Sequence, residues 1–300
     1  MSGSGPVAPK PRSGEGGFIS DAAIARLRAL DDHPDFDGTR YDIVEPIGRG
    51  GMGVVFRGRD RELDRDVAIK VTAWSTDADA ERLRTEARTL AALEHPGIVP
   101  VHDVARLPDG RVYSVMMLVR GERLDVCASR LPLPDRLRLF DRICDTVSFA
   151  HSRGVVHGDL KPANIMVGAF GQVLVLDWGG GGTEGYMAPE QRDGAAGTRS
   201  DVYALGAILR DLAATPAPSR ARKPLTSIIL RAMGSDPGER YASPGELAAD
   251  VRRFLDGAAV SAHVEGPLER AARLARTYRT PIVLVLTYLA VRILLLFWRA

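Results

Sequence analysis

The sequence predicts an α+β chain of two lobes, a small β-rich N-terminal lobe followed by a larger α-helical one, with a transmembrane helix at its C-terminal end. Three observations predict it. Between Tyr41 and Lys70 short β-branched runs broken by glycine (YDIVEPIG, VVFRG, DVAIKV) read as three strands. Beyond residue 121 the pattern turns mainly helical, and residues 282–298 (IVLVLTYLAVRILLLFW) are apolar on every face. The composition agrees. The chain has 300 residues, 45% of them hydrophobic, enough to bury a core and to exclude a disordered chain. Its 40 basic and 38 acidic residues leave a net charge of +2, so no bulk field selects nucleic acid, and none is expected as a partner. The two cysteines, Cys127 and Cys144, lack a CxxC spacing, which excludes a disulfide framework or a zinc site.

The elements follow in order. Residues 1–17 are mostly Gly, Pro and Ser and read as a flexible tail; Ser20 offers an N-cap to a short helix over 21–30, completing an N-terminal region of 1–40. After the three strands, residues 77–93 lack Gly and Pro and place Leu83, Ala87, Leu90 and Ala91 at helical spacing. IVPVHDVARL and RVYSVMMLV are two further strands around the turn Pro108-Asp109-Gly110, closing the small lobe at 41–120. The helical lobe, 121–256, is interrupted by a hairpin of ANIMV and QVLVLD around Gly168–Gly171. A basic linker is expected over 257–281.

The span itself is a question of magnitude. Residues 282–298 hold 12 Leu, Ile, Val or Phe, and Arg292 is the only charge. Those 12 favour insertion by about 4–7 kcal/mol in total, against a cost of about 2.5–3.5 for one central arginine. Arg270, Arg273, Arg276 and Arg279 precede the span, which keeps the preceding lobes on the cytoplasmic face of the inner membrane in a single-pass arrangement.

The chemistry-bearing residues come in separated motifs. Gly48-Arg49-Gly50-Gly51-Met52-Gly53-Val54-Val55 fits GxGxxGxV between two strands, where backbone without side chains can approach phosphate oxygens. Val67-Ala68-Ile69-Lys70 ends a strand on one of only four lysines, in a chain that otherwise uses arginine. Glu86 lies on the first long helix. His157-Gly158-Asp159-Leu160-Lys161-Pro162-Ala163-Asn164 puts a proton acceptor, a cation and a metal-binding amide on one loop. Asp177-Trp178-Gly179 adds a second carboxylate after an apolar strand, and Gly185-Tyr186-Met187-Ala188-Pro189-Glu190 follows.

In this order the motifs resemble those of protein kinases, and more closely the eukaryotic-type serine/threonine kinases of bacteria, over roughly residues 41–256. The resemblance implies a two-lobed kinase-like fold, MgATP (with Mn2+ as an alternative metal) and a protein substrate. It implies that Gly48, Arg49, Gly50, Gly51, Met52 and Gly53 cover the phosphates. Val55, Ala68, Met116, Met117 and Val119 then line the nucleotide site, with Met116 as gatekeeper and Met117 to Val119 as hinge. Lys70 would hold the α/β-phosphates and pair with Glu86. Asp159 would accept the substrate's proton, Lys161 marks serine/threonine specificity, and Asn164 and Asp177 would bind the metal. Asp201 and Arg240 resemble helical-lobe anchors, Arg240 pairing with Glu190.

Two departures stand out. Gly158 replaces the arginine that in many kinases receives an activation-loop phosphate, and only twelve residues separate Asp177 from Glu190, four of them the run Gly179 to Gly182. Phosphorylation of that segment is therefore not expected to control the protein. The stretch PAPSRARKPLTS is expected to be a contracted connection. The alternatives are a nucleotide-responsive membrane scaffold and a kinase of a small-molecule hydroxyl.

Overall fold

A computed structural model describes residues 34–50, 53–72, 77–214, 219–267, 270–271 and 279–299. The expected tail and the helix over 21–30 lie outside the described residues.

The small lobe is one antiparallel sheet. Strands β1 (Tyr41–Gly50), β2 (Gly53–Asp60), β3 (Arg65–Thr72), β4 (Val101–Arg106) and β5 (Val112–Met117) lie in the order β1-β2-β3-β5-β4. Strand residues alternate between two faces. One row (Val54, Phe56, Val67, Ile69, Val71, Tyr113, Val115) is buried with Phe36, Tyr41 and Leu107 in the lobe's own core. The alternate row carries Val55, Ala68, Lys70, Ser114 and Met116, and faces the second lobe. This two-sided burial explains why VAIKV and VYSVMM read as continuous runs rather than as alternating ones. Helix α1 (Asp77–Ala91) packs against β4 and β5 through the buried Ala87.

The larger lobe comprises β6 (Gly121–Arg123), α2 (Leu124–Ser129), α3 (Leu133–Ser152), β7 (Ile165–Gly168), β8 (Val173–Val175), α4 (Thr198–Ala213), α5 (Ser219–Ala232) and α6 (Pro244–Leu255). Helix α3 is its axis. Leu137, Phe140, Ile143, Cys144, Val147 and Ala150, at spacings of three or four, are fully buried against α4 and α6. Strands β6, β7 and β8 form a small sheet at the lobe boundary. Val175 N–H bonds Gly97 O at 2.8 Å and so ties β8 to the segment leading into β4.

Two expectations change. The supposed connection PAPSRARKPLTS is helical from Ser219 onward, in spite of Pro224 inside α5. A proline in a helix interior costs ~3 kcal/mol. Burying Leu225 and Ile228 returns about 1.5–3 kcal/mol each, which is enough to outweigh it. The start of the expected linker is likewise packed on the lobe. Val260 is buried, and Asp250 accepts from Ser261 N–H at 2.9 Å, Ser261 Oγ at 2.7 Å and Ala262 N–H at 3.1 Å.

Helix α7 (Arg279–Arg299) covers the expected span and has 21 residues. Among the described residues, however, no helix is long and apolar enough to cross a membrane, so the transmembrane helix expected over 282–298 is not found among them. The side chains of part of α7 lie outside that description.

Candidate functional site

Strand register alone assembles the upper wall of a cleft. Gly48 pairs with Val55, Val55 with Lys70, and Lys70 with Ser114; two residues along, Ala68 pairs with Met116. Directly paired residues project to the same side. Six residues remote in sequence therefore share one face. Met117 ends β5, and Val119, half-buried, follows on the segment joining the lobes. Arg49 is exposed on β1 and Gly50 ends that strand, with Gly53 opening β2 opposite it; Gly51 and Met52 lie outside the described residues. Behind Met116 a cavity of about 40 Å³ is lined by Lys70, Leu90, Val99, Asp177 and Trp178, among others.

Lys70 is 9% exposed, and its Nζ donates to Asp177 Oδ1 at 3.0 Å, an ion pair that joins the two lobes. Glu86 lies on α1, but its side chain is outside the described residues, so its expected pairing with Lys70 is too. Asp177 has a left-handed backbone, φ +52, uncommon for a residue other than glycine. Trp178 then turns inward, 4% exposed, with Nε1–H on Val175 O at 3.2 Å and its ring 4.7 Å from the His157 imidazole.

The loop between α3 and β7 carries the lower wall. Asp159 is surrounded by donors: Thr183 Oγ1 at 2.6 Å from Oδ1, and Lys161 Nζ at 2.7 Å from Oδ2. Lys161 Nζ also meets Thr183 Oγ1 at 2.7 Å, closing a three-membered network. Asn164 Nδ2 donates to the Asp159 main-chain oxygen at 2.9 Å, which leaves its amide oxygen as the atom able to face a cation.

The loop is held from beneath by buried groups. Asp201 in α4, 1% exposed, accepts from His157 N–H at 2.8 Å and Gly158 N–H at 2.9 Å, and meets His151 Nε2 at 2.7 Å. His157 contacts the Leu176 carbonyl through Nε2 at 2.9 Å, while its Nδ1 accepts from Asp159 N–H at 3.2 Å. Those two contacts require the tautomer protonated on Nε2. Burial pushes the His157 pKa below its ordinary value, which keeps the ring neutral. Further out, Arg240, 2% exposed, grips Glu190 in a two-pronged pair at 2.7 and 2.8 Å, the partner expected for it. That guanidinium holds the Glu190 carboxyl at about 2, with the Ser200 hydroxyl assisting.

The fold thus gathers Lys70, Asp159, Lys161, Asn164 and Asp177 along one cleft, with Val55, Ala68 and Met116 on its roof. Sequence reasoning overlooked His151 and Gln191. A histidine at a helix end and a glutamine beyond Pro189-Glu190 carry no pattern of their own, and only the hydrogen bonds show their part.

Residues 41–257 match the protein kinase domain family. Among curated proteins, the chain is similar to the serine/threonine-protein kinase PknD of Chlamydia caviae, 32% identical over 73% of this chain and 31% of that protein. It is similar to PknD of Chlamydia trachomatis serovar D, 30% identical over 73% of this chain and 32% of that protein. A third is the serine/threonine-protein kinase PknB of Mycolicibacterium smegmatis, 32% identical over 81% of this chain and 47% of that protein. The chain therefore spans about a third to a half of the length of these relatives.

Proposed function

The chain belongs to the protein kinase family, and from that premise we propose that it is a serine/threonine protein kinase, transferring the γ-phosphoryl group of MgATP to a hydroxyl of a protein substrate. The observation that carries this reading is the state of Asp159. Its carboxylate is ordered by Thr183 and Lys161 at the floor of a cleft whose roof bears Lys70. A carboxylate held this way is placed to accept a proton from a substrate hydroxyl as the oxygen attacks phosphorus.

The donor set suits a hard divalent cation. Asp177 offers a carboxylate and Asn164 an amide oxygen, both ligand types that magnesium prefers and that manganese also accepts. The metal would neutralise charge developing on the transferred phosphoryl group. Lys70 reaches the same region from the roof and would orient the α/β-phosphates. Lys161, already touching Asp159 and Thr183, would meet the γ-phosphate. Glycines at 48, 50, 51 and 53 would let main-chain N–H groups approach the phosphates, with Arg49 and Met52 between them. Val55, Ala68, Met116, Met117 and Val119 would enclose the adenine ring, and Glu86 would steady Lys70. In the short segment between Asp177 and Glu190 both hydroxyl side chains already have structural partners, which supports a site that is assembled without phosphorylation.

Asp159→Asn should lower kcat by about 10²–10⁴-fold, measured by radiolabel transfer, and leave MgATP affinity in calorimetry nearly unchanged. Nucleotide binding with no transfer by the wild-type protein would instead favour the scaffold alternative.

We further propose that α7 anchors the chain in a membrane, with the catalytic lobes on the cytoplasmic side. Val283, Leu284, Val285, Leu286, Tyr288 and Val291 are each at least half exposed around the helix, an arrangement that water disfavours and lipid accepts. Four arginines between 270 and 279 favour that orientation. Retention in the membrane pellet after alkaline carbonate extraction is expected, and release into the supernatant would refute the anchor.

A further inference from the structure

The peptide unit between Gly158 and Asp159 is gripped at both ends. Its N–H, on Asp159, donates to His157 Nδ1 at 3.2 Å. Its carbonyl, on Gly158, accepts from Gln191 Nε2 at 2.9 Å. The other end of the same amide, Gln191 Oε1, accepts from Ala188 N–H at 2.9 Å. Because Ala188 N–H can only donate, the oxygen must face it and the NH₂ must face Gly158. One neutral side chain thereby ties the loop carrying Asp159 to the end of the segment that follows Asp177.

Among the described residues no ion pair joins that segment to the loop; Thr183 meets the Asp159 carboxylate itself, whereas Gln191 holds the backbone. Gly158 has no side chain to receive a phosphate. The two hydroxyls available between residues 178 and 189 are engaged, Thr183 on Asp159 and Tyr186 on Asp211 Oδ2 at 2.6 Å. We propose that Gln191 is a positioning residue for Asp159, a permanent amide clamp that fixes the peptide plane of the catalytic loop in place of a phosphorylation-dependent contact. The inference rests on the kinase reading. It assigns Gln191 no contact with either substrate. Its effect passes through the Gly158 carbonyl to the direction in which the Asp159 carboxylate points.

The test uses the full chain, with radiolabelled ATP and myelin basic protein as the acceptor probe. In Gln191→Glu one carboxylate oxygen still accepts from Ala188 N–H, but the other faces the Gly158 carbonyl, and the two acceptors repel. Near pH 7.5 kcat should fall about tenfold, as expected for one lost hydrogen bond with its acceptor left unpaired. The facing Gly158 oxygen raises the carboxyl above its ordinary value, so as the pH falls it takes up a proton and can donate to Gly158 O, and the ratio of variant to wild-type kcat should climb. Gln191→Met, of similar volume, should show the same loss with no recovery at low pH. A purely structural role would instead reduce the fraction of protein that binds MgATP and leave kcat per binding site unchanged. Calorimetric MgATP affinity, expected to be retained in both variants, reports that the cleft has folded. Unchanged kcat, or a Gln191→Glu profile parallel to that of wild type, overturns the proposal and leaves the kinase reading standing; absence of MgATP binding by wild type overturns both.

Discussion

Gly158 offers the sharpest test of how closely the two catalytic segments are packed. Its φ is +77, and a Cβ added there would lie 2.9 Å from the Gly180 carbonyl oxygen, inside any ordinary contact. Gly154, four residues earlier, has nearly the same backbone, φ +76, yet an added Cβ would meet nothing within 4 Å. The pair separates backbone strain from crowding. Gly154→Ala should cost only the left-handed conformation of an alanine, about 1–2 kcal/mol. Gly158→Ala carries the same cost plus that of displacing the Gly180 peptide, about 1–3 kcal/mol more. For a domain of this size 1 kcal/mol is worth roughly 2–4 °C, so Gly158→Ala should melt about 2–12 °C below Gly154→Ala. Gly180 lies against Asp159, so the first variant should also lose kcat while the second keeps it. Differential scanning calorimetry of the two variants side by side, with turnover measured on the same samples, reads both effects. Equal melting temperatures would show that the close approach of Gly158 to Gly180 is not felt, and the account of this loop would fail.

Two further outcomes concern stability. The Glu190 carboxyl is depressed in the folded state to about 2, so its contribution is fully present above its ordinary value of 4.5 and is lost as pH falls from there toward 2. Glu190→Gln should flatten that limb of the acid-unfolding curve, and should cost about 3–5 kcal/mol at neutral pH because the Arg240 guanidinium stays buried with its charge uncompensated. An unchanged acid limb in urea titrations at a series of pH values would refute the assignment. Asp250, for which burial alone would raise the carboxyl, is brought to about 2 by Ser261, Arg253 and Tyr241. Asp250→Ala should release residues 258–266, seen as rapid hydrogen exchange at Ser261 and Ala262, and protection equal to wild type would show that the strap is held by other contacts.

Sequence and tertiary structure divided the determination of this protein unevenly. The motifs were legible because the proposed phosphoryl transfer would need particular side chains at short range, and their spacings survive as local patterns: GxGxxGxV, VAIK, and Asp159 to Asn164 on one loop. The strands of the small lobe were legible for a similar reason, since β-branched runs and glycine breaks are local properties. Helix α5 was not, because Pro224 and a basic run argued against it locally, and the burial of Leu225 and Ile228 that favours it arises only when α4 and α6 are in place. The docking of 258–266 onto Asp250 was hidden likewise, since one carboxylate satisfying a distant strap leaves no periodicity. Gln191 is the clearest instance. Its residue type says nothing, and its importance comes from a carbonyl 33 positions away that only the folded chain brings within hydrogen-bonding distance. Local chemistry writes itself into sequence, whereas pairings between distant groups exist only once entropy has been overcome and the chain has closed on itself.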